Sequence, residues 1–141
     1  MLCLYRKKGG LMQKGKNKDV EEYKTRLLSV LTKHIGKSRS IGMAELYEQV
    51  FGKPCSNKIN EARFLRKLIT ELRKDGVPVC SDTDREGGGY YLASAGSELE
   101  NYCMRLRIRA LKILKMEATL RKKTLPELLG QITMSVGGRN A

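Results

Sequence analysis

The chain has 141 residues, 28 Lys and Arg against 15 Asp and Glu, and a net charge of +13. Its hydrophobic share of 40% excludes wholesale disorder, no apolar run is long enough to cross a membrane, and the length predicts one domain with tails. A cation surplus of this size points to a polyanion as partner.

Residues 1–20 carry six Lys or Arg and one Asp, with Gly9, Gly10 and Gly15 among them. This reads as a flexible basic arm over residues 1–18. Met1–Lys8 lacks the order of a secretory signal, so a cytoplasmic location is expected. The cysteines Cys3, Cys55, Cys80 and Cys103 form no short-spaced pair, and His34 is the single histidine. No metal site and no cofactor are therefore expected.

A first helix is expected from Asp19, with Glu22 completing a capping-box-like pair and Gly36 as the stop. Val20, Tyr23, Leu27, Val30, Leu31 and His34 recur at helical spacing. The polar segment Lys37–Ile41 follows, with Ile41 as a short strand. A second helix spans Met43–Phe51, with Gly42 and Gly52 at its ends. Pro54 breaks the chain.

The third helix is expected from Asn57 or Lys58 to Asp75. At 100° per residue, Ala62, Leu65, Leu68, Ile69 and Leu72 share one face. Asn60, Arg63, Lys67, Thr70 and Lys74 lie opposite, flanked by Arg66 and Arg73. Such a stripe suits a solvated face, but Asn, Arg and Lys are also the side chains that read base edges and phosphates.

Two β-forming stretches, 77–81 and 90–93, flank the turn-rich DTDREGGG and predict a hairpin. The glycine run lacks the Lys-Ser/Thr and the strand-loop-helix setting of a phosphate loop. The loop is acidic, with Asp82, Asp84 and Glu86 against Arg85.

A long helix is expected over 97–123, with Glu100 placed for a capping box. Leu99, Leu106, Ile113 and Leu120 repeat every seven residues, with Tyr102 and Met116 at the following positions of the heptad. Met104, Ile108, Leu111 and Leu114 form a second strip. One helix with two apolar strips predicts a homodimer seam at Leu99, Tyr102, Leu106, Ile113, Met116 and Leu120, although Arg109 interrupts a strict coiled coil. Thr124 and Glu127 mark a fresh, short helix before a loose tail, over residues 124–141.

The order over residues 19–96 resembles that of a winged helix-turn-helix domain. IGMAELYEQVFG at 41–52, LITELRKDGVPVCS at 68–81 and GGYYLAS at 88–94, followed by an arginine-rich helix, are similar to small winged-helix proteins of bacteriophages and prophages. The fold class so implied is mainly α with a small β-hairpin, followed by a long C-terminal helix. The resemblance implies binding of double-stranded DNA with the third helix in the major groove. Asn57, Lys58, Asn60, Arg63 and Lys67 would then face the groove, and Arg66, Thr70 and Lys74 would meet phosphates. Ser38, Arg39 and Ser40 would hold the backbone, and so would Arg85 on the wing, although the acidic wing weighs against that contact. Glu61 would read a cytosine amine or pack at the helix edge.

The function implied is a phage-type transcriptional regulator or an accessory factor in recombination or replication. The rival reading is a winged-helix adaptor between proteins. No catalytic constellation is visible, so no enzymatic activity is expected.

Overall fold

In the computed structural model, residues 10–57, 59–84 and 88–137 are described. The elements in order are α1 (Gly10–Leu31), a 3₁₀ turn (Lys37–Arg39), α2 (Met43–Phe51), α3 (Asn60–Lys74), β1 (Val79–Ser81), β2 (Tyr90–Leu92), α4 (Gly96–Leu120) and α5 (Leu125–Gly137). The chain is mainly helical, with one two-stranded antiparallel sheet. It divides between Leu99 and Glu100 into two compact units.

The first unit is built on three amphipathic helices. Leu27 and Leu31 of α1, Leu46 and Val50 of α2, and Leu65, Leu68, Ile69 and Leu72 of α3 meet in one buried core, joined by Ile41, Val79 and Leu92. All five α3 residues placed inward by their spacing are buried. An aromatic group pins the three helices together. The Phe51 ring lies 4.8 Å from Tyr23, 4.5 Å from Tyr47 and 5.7 Å from Phe64, within the range for favourable ring pairs. Lys24 adds an ion pair from α1 to Asp75 at the end of α3, at 2.8 Å.

Several helix limits differ from the sequence expectation; α3, for one, begins at Asn60 rather than at Asn57 or Lys58. α1 begins at Gly10, so Asp19 lies inside it. Of the expected basic arm, residues 10–18 belong to α1, and residues 1–9 lie outside the described ones. The Lys, Gln, Met and Leu residues there are good helix formers, and a lone Gly costs only about 1 kcal/mol.

The same helix stops at Leu31, not at Gly36. Lys33 and His34 N–H groups close a tighter turn on Val30 and Leu31. Gly36, at φ 91°, donates its N–H to Leu92 instead. His34 is thereby outside the helix, and its Nδ1–H donates to the Arg39 carbonyl at 2.8 Å.

α4 begins at Gly96, and Glu98 rather than Glu100 reaches back. Its carboxylate accepts from the N–H groups of Ser94 (2.9 Å) and Lys37 (3.1 Å).

The hairpin pairs Val79 with Leu92, Cys80 with Tyr91 and Ser81 with Tyr90. Ile41 bridges Tyr90 on the other edge of β2, with both N–H···O bonds formed at 2.8–2.9 Å. That edge leaves no room at Gly89, where an added Cβ would fall 2.2 Å from the Ile41 carbonyl oxygen. Gly88 is crowded in turn by the Asp82 and Asp84 carbonyls. The glycine run thus serves backbone packing at the hairpin.

In the second unit, the Glu127 carboxylate accepts from the Thr124 N–H at 2.8 Å, and the Thr124 hydroxyl accepts from the Glu127 N–H at 3.4 Å. This is the expected capping box. α4 ends at Leu120 rather than Lys123. The Lys123 N–H bonds the Ala118 carbonyl, and Lys122 takes a left-handed conformation at φ 54°, which is the Schellman stop without its usual glycine. Ala118 and Leu128 are buried.

Candidate nucleic-acid interface

α3 presents one continuous polar band opposite its buried face. Asn60, Arg63, Arg66, Lys67, Thr70 and Lys74 are all exposed. At 100° per residue they fall within a band about 120° wide. Lys74 is drawn to Glu71 at 3.0 Å, and the Thr70 hydroxyl donates to the Arg66 carbonyl one turn back. No described carboxylate forms an ion pair with Arg63, Arg66 or Lys67. Arg73, on the flank, turns inward, and its Nε–H donates to the Val79 carbonyl at 2.8 Å. It therefore ties α3 to β1.

The start of α3 is held by local hydrogen bonds. The Asn57 side-chain oxygen accepts from the N–H groups of Ile59 (3.1 Å) and Asn60 (3.2 Å). Glu61 returns the bond, accepting from the Asn57 N–H at 3.1 Å and from the Ser56 hydroxyl at 3.3 Å. The Asn57 N–H, then the Ser56 hydroxyl, hold the Glu61 carboxyl below its ordinary range. These bonds satisfy donors that every helix start leaves open. Glu61 and the Asn57 oxygen are thus engaged in the cap. The sequence reading missed this because the pair is spaced i, i+4, one longer than the capping box. Lys58 lies outside the described residues.

Ser38 and Arg39 are exposed in the 3₁₀ turn, and Ser40 is half-buried. This turn packs beside β2. Lys37 there bridges to the hairpin, with its Nζ 2.6 Å from the Asp82 carboxylate and 3.1 Å from that of Asp84. These two carboxylates, Asp82 first, raise the Lys37 ammonium above its ordinary value. Two carboxylates of the hairpin loop therefore share one cation within the chain. Arg85 and Glu86 lie outside the described residues.

Two hollows border the α3 band. One, of about 540 Å³, is lined by Val20, Glu21, Lys67 and Glu71. The other, of about 230 Å³, is lined by Met43, Ala44, Cys55, Ala62 and Arg66.

In α4, Leu99, Leu106, Ile113, Met116 and Leu120 of the expected seam are exposed, Leu120 at 79%. Tyr102 is not free for a seam, being only 8% exposed, with the Arg105 guanidinium 5.7 Å from its ring centre. Met104, Ile108 and Leu111 of the second strip are exposed too, as are Leu129, Ile132 and Met134 of α5. Among the described residues, no helix is long and apolar enough to cross a membrane.

Comparison of the chain with protein-family models, with curated proteins and with solved structures finds no match.

Proposed function

We propose that this protein binds double-stranded DNA through α3, laid in the major groove of a winged helix-turn-helix domain. The observation that carries the reading is the α3 band, in which Arg63, Arg66 and Lys67 stand exposed with no acidic partner among the described residues, opposite a fully packed core face. A merely solvated helix gains from i, i+4 ion pairs. A helix that meets phosphates and base edges keeps its cations open. The antiparallel bridge of Ile41 to Tyr90 supports the winged arrangement, since it sets a short third segment beside β2 of the hairpin. Compensation of Asp82 and Asp84 by Lys37 lessens the repulsion that an acidic wing would bring to DNA. The role that fits is a cytoplasmic regulator of transcription or an accessory factor in recombination or replication, without a cofactor.

The protein acts as a homodimer through the exposed apolar strip of α4. Leu106, Ile113, Met116 and Leu120 are all exposed, and monomeric soluble proteins rarely leave contiguous apolar patches of more than a few hundred Å² in water.

Anisotropy of a labelled duplex tests the reading. Affinity should fall steeply between about 50 and 200 mM salt, because neutralised phosphates release counterions. Absence of binding at low salt would leave the adaptor reading, in which the α4 strip docks another protein.

A further inference from the structure

Ile59 is the most solvent-exposed large apolar residue described in the first unit. It is 74% exposed, against 46% for Ile35 and 38% for Leu99. Its backbone is already helical, at φ −82° and ψ −56°, so the 100° spacing of α3 extends back to it. Arg63, Arg66 and Thr70 then follow at i+4, i+7 and i+11, one stripe on one face. The side chain thus stands inside the cationic band, at its N-terminal end. Its position is firm, because its N–H is bonded to the Asn57 side-chain oxygen and its β-branch restricts the first torsion.

In B-DNA the major-groove edge of a base offers hydrogen-bonding groups and one apolar group, the C5-methyl of thymine. N-terminal residues of a recognition helix are the ones that reach base edges. We propose that Ile59 packs on the C5-methyl of a thymine, so that the protein reads this base by apolar contact while Arg63 and Lys67 supply polar contacts beside it. This inference rests on the reading of α3 as the DNA-facing helix. 5-Methylcytosine carries the same methyl group at the same place in the groove.

The test uses the full chain and the duplex it enriches from a random-sequence pool. Each thymine is replaced singly by uracil, which removes the methyl and nothing else. At one thymine within the α3 footprint, uracil should weaken wild-type binding about fourfold, the effect of burying one methyl-sized group. Ile59→Ala should lose that difference, binding the thymine duplex about fourfold more weakly than wild type does while keeping its circular dichroism, and Ile59→Val should retain most of it. At the same position 5-methylcytosine should bind better than cytosine, and thymine better than either. Uracil sensitivity that is equal in wild type and Ile59→Ala, or present at no position, overturns the assignment and leaves DNA binding by α3 intact. A preference for 5-methylcytosine over thymine overturns thymine as the base read. No duplex binding by the wild type at low salt overturns both the contact and the reading beneath it.

Discussion

The Lys37 ammonium sits 2.6 Å from the Asp82 carboxylate, joining the turn before α2 to the outgoing strand of the hairpin. Asp82 is almost fully buried, whereas Lys37 keeps much of its side chain in water. The pair is separated by 45 positions in the chain, so no local pattern announces it. It gives two carboxylates of the acidic hairpin loop one shared cation, and it fixes the hairpin to the rest of the first unit.

Lys37→Met should therefore lower the melting temperature by a few degrees, because it strips a buried carboxylate of its cation. Most of that effect should vanish in an Asp82→Asn background, since coupled partners are not additive. Thermal melts of the two single variants and the double variant check this. Additive losses would show that the pair does not hold the hairpin.

The glycines divide into two kinds. Gly89→Ala should cost about 1–3 kcal/mol or more, because its Cβ would fall on the Ile41 carbonyl oxygen and force the bridge to β2 apart. Gly130→Ala should stabilise by up to about 1 kcal/mol, because it lies within α5 with nothing inside 4 Å of the new Cβ. Urea titrations of both variants give the comparison, and a tolerated Gly89→Ala would contradict the close approach at this edge.

Acid should weaken the fold through its helix caps. The Ser94 N–H, then the Lys37 N–H, hold the Glu98 carboxyl below the ordinary glutamate range, and the Thr124 N–H does the same for Glu127. A carboxyl lowered in the folded state contributes stability that is present above its ordinary value, about 4.3, and is lost as pH falls through the folded value. Wild type should thus lose stability more steeply than Glu98→Gln from about pH 5 downward. Parallel curves in chemical denaturation across that range would remove the cap from the account.

Leu106→Glu with Ile113→Glu should yield a folded monomer in sedimentation, because both side chains stand exposed on α4 and two charges cannot be buried against a like surface. Unchanged mass with intact helicity would place the dimer elsewhere.

Much of the first unit was legible because its signals are periodic. The inward set Ala62, Leu65, Leu68, Ile69 and Leu72 follows from helical spacing alone and is buried as expected. Gly42 and Gly52 stand at the two ends of α2 as expected, Gly52 at φ 68°. The misreadings arose where contacts distant in sequence decide. Gly36 is turned by its bond to Leu92, and Glu98 by the Lys37 N–H. The side-chain cap of Asn57 with Glu61 was hidden by its spacing. Tyr102 sits in register with the exposed heptad leucines, yet it is buried.

The most direct test compares Arg63→Ala and Lys67→Ala with Arg26→Ala. Arg26 is an exposed cation of α1 paired with Glu22 at 2.7 Å, outside the α3 band. Measured by anisotropy on the enriched duplex and on a scrambled one, each α3 variant should cost roughly 1–3 kcal/mol on the enriched duplex and narrow the gap between the two. Arg26→Ala should leave that gap unchanged. Equal, sequence-blind losses in all three variants would contradict α3 as the helix that reads DNA.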